Sequence, residues 1–294
     1  MLSSHGRAVK VRLSPADIET ADRCARRLEY QRVLKVQVQT PAAADVFANC
    51  VTEGVARYLT TYSRGEPCLG LVSHFRSRWQ ECVSHTALQY GPGQSARSYE
   101  RAGLELMRLL PQAWESTGLK VAQDRAGDPL VTVPMRSPLG VNVGIDLELV
   151  GNIALIVESP TGILALLHPA CELRRHESAQ VRRAELLTGY QELFDVNRGA
   201  RGLPELDRVG FWDFLIGPKP SIAAPVLVPA RTPLERRLYR ERAWWLAEAM
   251  HRGSLPRNTH GPRKMPCRAC EYVRHCHGGD TIGLRFPEGP PPAA

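Results

Sequence analysis

The chain reads as a mixed α/β protein in which helical segments at both ends flank a central run of short strands. Three observations predict this. Apolar residues recur at helical spacing before residue 123 and again after residue 177. Between residues 128 and 170 the sequence is dense in β-branched residues, with Gly, Pro and Asn at regular intervals. A helical pattern, a strand and another helical pattern then follow, an order that fits an α/β core with helical ends.

Taken in order, Val11 and Leu13 form a strand-like lead-in. Ser14 is the predicted N-cap of a first helix, with Pro15 at its first position and Asp17 in its first turn. Ile18, Ala21, Ala25, Leu28 and Val33 give that helix an apolar face, with Cys24 on or near it. After the loop QTPAAADV, a second helix carries Val46, Val51, Val55, Tyr58 and Leu59. Two more helices, broken at GPG, fill residues 71–123. In the strand-rich run, Gly151-Asn152 is the expected hairpin tip. One long helix is expected over 177–197, a strand over 209–217, and an arginine-rich amphipathic helix over 232–254, capped by Thr232 with Pro233 next. In that last helix Trp244 and Trp245 are both expected in the core.

At 294 residues, with 43% hydrophobic and 23% charged residues, the chain can bury a full core. No apolar run is long enough for a membrane span, and the start, MLSSHGRAVKVRLSP, lacks the apolar region of a signal peptide. A reducing, cytoplasmic setting is therefore expected, in which the eight cysteines would serve metal binding or packing rather than a disulfide framework. Net charge is +8, with arginines clustered at 23–27, 174–183 and 231–242. Guanidinium groups suit bidentate phosphate contacts, and they also suit ordinary solvated helix faces.

The most informative motif is C-x2-C-x5-C at Cys267, Cys270 and Cys276. It supplies three thiolates within a turn and a short helix, whereas tetrahedral zinc and cubane iron–sulfur clusters take four ligands. Cys24 is the candidate fourth. The alternative is a zinc knuckle completed by His275 or His277, with Cys24 a buried thiol. Cys50, Cys68, Cys82 and Cys171 show no ligand spacing and read as small apolar residues.

LSPADIETADRCARRLEYQRVL resembles the N-terminal cysteine segment of the RecB-like branch of the PD-(D/E)XK nucleases. The layout is similar to that of the iron–sulfur exonucleases associated with CRISPR loci, over about residues 12–278. The family's usual proline is replaced by Ala25, and AWWLAEAM precedes the late cysteines as a Trp-bearing helix does there. The resemblance implies a restriction-endonuclease-like α/β core with its ends joined by a 4Fe–4S cluster on Cys24, Cys267, Cys270 and Cys276. It divides the chain into an N-terminal helical region (1–128), a nuclease-like core (129–230), a C-terminal helix with the cysteines (231–280) and a disordered tail (281–294).

The same resemblance implies a Mg²⁺ or Mn²⁺ site. VGIDLELVGNIALIVESPTG aligns with the family's G-x-x-D and D/E-x-K strings, placing Asp146 and Glu158 on the two carboxylates. A hairpin would bring them to one ion. Pro160 stands at the lysine position, Thr52 at the histidine of G-T-x-x-H, with Ala48 for its glycine. Leu186 replaces the glutamine of Q-x-x-x-Y, and Tyr190 remains. A charge donor lost from the transition state typically costs about 10²–10³ in rate. The expectation is a DNA-binding pseudonuclease of a repair, recombination, defence or mobile-element complex. The alternatives are an active Mg- or Mn-dependent DNA exonuclease with an altered site, and a structural subunit that binds a protein partner such as a nuclease or helicase.

Overall fold

The computed structural model describes residues 8–256, 267 and 270–287. The architecture is mixed α/β, as the sequence predicts: a central mixed sheet with helices on both faces.

Strand β1 (Val9–Leu13) leads into α1 (Pro15–Leu28). The predicted cap is present in full: Asp17 N donates to Ser14 Oγ at 3.1 Å and Ser14 N donates to Asp17 Oδ2 at 2.8 Å. A π-helical turn (Glu29–Val33) continues α1, and a short strand β2 (Gln37–Val38) follows. Helices α2 (Ala43–Ser63), α3 (Leu71–His85) and α4 (Ala96–Thr117) pack together over one face of the sheet. Phe75 of α3 lies so close to Gly103 of α4 that a Cβ there would fall 1.9 Å from its Cζ, so only glycine admits this approach.

The sheet is built around one long strand. After β3 (Lys120–Val121), β4 (Val131–Asn142) pairs antiparallel along nearly the whole of β5 (Ile145–Glu158). On its other side, β5 pairs in parallel with β1 through residues 145–149 and antiparallel with β6 (Leu164–Glu172) through residues 155–158. The expected hairpin tip at Gly151-Asn152 is therefore corrected, because both residues lie inside β5. The turn is at Val143-Gly144, where both residues have positive φ (47° and 77°) and Asn142 pairs with Ile145. Two positive φ values match the twist of a two-residue hairpin. Gly151 serves a different purpose: a Cβ there would meet Leu193 at 3.0 Å and Pro15 at 3.4 Å, so it admits α1 and the later helix close to the sheet.

Instead of one helix over 177–197 there are two, α5 (Ser178–Arg183) and α6 (Glu185–Arg201), with Ala184 extended between them. Strand β7 (Arg208–Leu215) lies parallel to β6, with β8 (Ser221–Ile222) and β9 (Val226–Pro229) antiparallel to it. Helix α7 (Pro233–His251) has its expected Thr232–Glu235 capping box and packs with α1 and α6 on the second face. Side chains alternate along the strands: Leu155, Leu167 and Phe214 point toward α2–α4, while Ile156, Leu166 and Phe211 point toward α6 and α7. The two tryptophans divide. Trp244 packs against the core and Trp245 is 71% exposed, since neighbours on a helix face different directions.

Within the stretch read as a tail, β10 (Leu284–Arg285) pairs antiparallel with β2, and residues 288–294 lie outside the described residues.

Candidate functional site

The first helix meets the late cysteine segment. Cys24 interrupts α1 with extended backbone angles (φ −166°, ψ 106°), which turns it out of the helical path. Cys267 is buried, and Cys270 N donates to its carbonyl at 3.0 Å. Cys276 sits in α8 (Val273–Gly278), tied by its N–H to the Tyr272 carbonyl at 2.8 Å. All four of these cysteines line one cavity of about 30 Å³, more room than a single water-sized body needs. Arg23, Arg26 and Arg27 line it too, where their charge would offset that of thiolates formed on binding a cation. His277 also lines it, whereas His275 lies between the rings of Tyr30 and Phe286. Among the described residues no three His, Cys, Asp or Glu side chains converge closely enough to share a single ion.

A small satellite core holds this junction. Tyr30, Val36 and Tyr272 are buried together, with Cys270, Cys276, Leu284 and Phe286 against them. The Tyr30 and Tyr272 rings are 5.1 Å apart, Tyr272 Oη donates to the Val36 carbonyl at 3.3 Å, and Arg27 pairs with Glu271 at 3.1 Å. Burial pushes the Cys270 thiol up to about 11. A soft cation would reverse that by binding the thiolate. Four thiols on one cavity fit a four-ligand inorganic group, and those four are the residues that would hold it. The chemistry it would supply is a cross-link between the chain ends.

The nuclease positions are placed very differently. Asp146 and Glu158 stand twelve residues apart on the same continuous strand, β5. At about 3.3 Å per residue, that separates them by on the order of 35–40 Å. They do not share an ion, and the expected Mg²⁺ or Mn²⁺ site on this pair is corrected. Glu158 faces Lys120 of β3 across the strand register, far from any second carboxylate of the proposed set.

The other three positions do come together. Thr52, Leu186 and Tyr190 line one cleft between α2 and the sheet. The strand residues beside them are Asn152 and Ala154 of β5 and His168 and Ala170 of β6. Gly151-x-x-Ala154 has the spacing of G-x-x-D, and His168-x-Ala170 that of D/E-x-K, but Ala154, His168 and Ala170 supply neither a carboxylate nor a lysine. The cleft does contain carboxylates, but they come from helices and the end of β6: Glu19, Asp45, Glu53 and Glu172. Two of them are already engaged, Glu19 with Arg23 at 2.8 Å and Glu53 with Arg78 at 2.9 Å.

A ladder of rings forms one wall. His168 stacks on Tyr190 (5.3 Å, 22°), and His176 stacks on Phe211 (4.4 Å, 19°). Asp213, fully buried, accepts from the His176 backbone N–H at 2.8 Å, and its other oxygen lies 2.6 Å from His176 Nδ1. Sequence reading missed this pair, which joins residues 37 positions apart across the β6–β7 crossover. Cys50 and Cys82, also on the cleft, have their sulfurs 4.0 Å apart, and burial pushes the Cys50 thiol up to about 12.

His168 Nδ1 is sealed from solvent with no hydrogen-bond partner among the described residues. Burial, reinforced by His176, lowers its pKa to about 4. The folded state therefore resists a proton that the unfolded chain accepts below its ordinary value near 6.5. Stability from this group is complete above about pH 6.5 and is lost as pH falls toward 4, by on the order of 3 kcal/mol. Urea unfolding at pH 7 and at pH 4.5 checks this. His168→Phe should flatten the difference, and an equal acid loss in both proteins would show that another group is responsible.

No protein-family model matches the chain, and no curated protein matches it in sequence. Among solved structures, SSO0001 is similar at 10% identity and a TM-score of 0.41, covering 94% of this chain and 88% of its own. A protein of Eubacterium rectale described as a candidate exonuclease is similar at 10% identity and a TM-score of 0.43, covering 88% and 87%. Likenesses this loose leave the reading to the chain's own residues.

Proposed function

We propose that this protein binds DNA without cutting it, on a PD-(D/E)XK-like α/β core whose ends are clasped by a 4Fe–4S cluster on Cys24, Cys267, Cys270 and Cys276. The observation that carries the non-cutting half is the cleft itself. Where the resemblance calls for two carboxylates and a lysine, β5 and β6 offer Ala154, His168 and Ala170. A divalent metal polarises the scissile phosphate only when carboxylates hold it beside the attacking water. Asp146 and Glu158 do not converge, so the active-exonuclease alternative loses the pair it rests on.

Labelled single- and double-stranded DNA incubated with anaerobically prepared protein and Mg²⁺ or Mn²⁺ tests this reading. Binding without degradation is expected, and Asp146→Ala and Glu158→Ala should leave both results unchanged. Cleavage that disappears in Glu158→Ala would overturn it.

One observation favours a protein partner in addition. Leu234, Leu238 and Trp245 on α7 are 60%, 50% and 71% exposed and fall at i, i+4 and i+11, on one side of the helix. An apolar strip of this kind suits the role of a subunit in a larger complex.

A further inference from the structure

The arginine clusters at 23–27 and 231–242 are mostly occupied by the fold, whereas Arg174, Arg182 and Arg183 are exposed with no ion pair among the described residues. Arg231 is buried in hydrogen bonds to backbone, Arg236 pairs with Asp195, Arg240 with Glu192 at 2.7 Å, and Arg242 with both Asp22 and Glu185 at 3.1 Å. The cleft is no better suited to phosphate, since four carboxylates line it against two guanidiniums. A polyanion would be repelled there unless metal ions intervened.

Across α3 from the cleft the balance reverses. A groove of about 600 Å³ between α3 and α4 is lined by Arg76, Arg97, Arg101 and Arg108, with Glu100 as the acidic residue among its lining. All four arginines are exposed. Arg97 and Arg101 have no ion pair among the described residues, and the partners of the other two are loose or local: Arg76 to Glu100 at 3.7 Å and Arg108 to Glu105 one turn away. Exposed pairs of this kind are worth little and release their arginine readily. On α4, residues 97, 101 and 108 fall at i, i+4 and i+11, one side of a single rigid helix. At 1.5 Å per residue they span about 16 Å, the reach of about five phosphates along one strand. Ser95 and Ser98, also in the groove, are spent on the helix cap and add no free donor of note.

We propose that the α3–α4 groove is the surface on which this protein grips the phosphodiester backbone of nucleic acid, apart from the cleft. The proposal rests on the DNA-binding reading above and locates it. Contact of this kind is read by charge and is strongly salt-dependent.

The test measures binding of a labelled single strand and the matching duplex to the full chain by anisotropy across a range of NaCl concentrations. The variant is Arg97→Gln/Arg101→Gln/Arg108→Gln, and Arg237→Gln/Arg252→Gln on α7 is the control. Loss of three phosphate contacts should make the slope of log K against log[salt] shallower by about 2 to 3, with the control unchanged. Matching thermal melts will show that all three proteins fold. If the wild type binds and the triple variant keeps its slope, the groove is wrong while DNA binding stands. If the wild type binds neither form of DNA at low salt, the DNA-binding reading falls and takes the groove with it. Binding of inorganic polyphosphate through these arginines, with none of DNA, would also overturn the proposal.

Discussion

If the proposed cluster is present, Cys24→Ser protein should unfold at a temperature lower than the wild type by on the order of 5–15 °C and should lose the iron that the wild type carries, while Cys68→Ser behaves as wild type. The expectation follows from where the four cysteines sit. Cys24 belongs to the first helix and Cys267, Cys270 and Cys276 to the far end of the chain, yet all four line one cavity. A link between positions 24 and 267 closes a loop of more than 200 residues. The chain-entropy gain from such a closure is roughly 5 kcal/mol as an upper figure, comparable with the whole stability of many domains. The remaining contacts at the junction are modest: a satellite core of three buried residues, a two-residue strand pair and the Arg27–Glu271 ion pair. They do not replace a cross-link. Scanning calorimetry with metal analysis on the same samples checks the claim, and a Cys24→Ser protein that melts with the wild type would remove Cys24 from the ligand set.

Arg231→Ala should cost about 3–4 kcal/mol, the largest loss expected for any single arginine. In the sequence Arg231 belongs to a basic cluster that suits either phosphate contacts or a solvated helix face. In the fold it is 6% exposed. Its guanidinium donates to the Val181 carbonyl at 2.7 Å, the Ala184 carbonyl at 3.2 Å and Thr188 Oγ1 at 3.2 Å. Its backbone N–H donates to Gln191 Oε1 at 2.7 Å, and its carbonyl accepts from Gln191 Nε2 at 3.2 Å. The guanidinium is thus a second donor to the carbonyls where α5 ends and α6 begins, since Val181 O also accepts from Ala184 N at 3.3 Å and Ala184 O from Leu187 N at 3.2 Å. Burial lowers its pKa, with Glu235 and Glu185 acting in the opposite direction. Truncation to alanine keeps the backbone pair with Gln191 but removes three hydrogen bonds from a charged donor, each worth about 1.5–3 kcal/mol, offset in part by no longer burying the guanidinium. Urea unfolding should show a lower midpoint at unchanged slope. A change below about 0.5 kcal/mol would mean that the α5–α6 junction holds by other means.

The parts of the fold legible in the sequence are those governed by local rules. Ser14 and Thr232 cap their helices because a hydroxyl at that position meets an open backbone N–H three residues on. The strand-rich middle is visible because β-branched residues and turn residues alternate there. The register inside that middle was harder to read. Asn after Gly at 151–152 carries a turn signature, but β4 pairs straight through it, and Val143-Gly144 makes the turn instead. A valine at φ 47° is a conformation that local propensity disfavours, so tertiary pairing decided it.

That one shift explains the misplaced site. Asp146 and Glu158 matched the family strings because they are acidic, and the residues actually facing Tyr190 and Thr52 are not. Pattern matching by chemistry is drawn to carboxylates, whereas the strand residues beside Tyr190 in the cleft include Ala154, His168 and Ala170. Gly151 lies where Leu193 and Pro15 approach the sheet closely, a constraint that only the packed fold makes visible. The His176–Asp213 pair had no sequence signal at all, because it depends on a parallel crossover that places β7 beside β6.

The most direct test is the inorganic content of protein purified without oxygen. About four iron atoms and about four sulfides per chain, with no stoichiometric zinc, are the expected result. One zinc per chain, or no metal at all, would contradict the account.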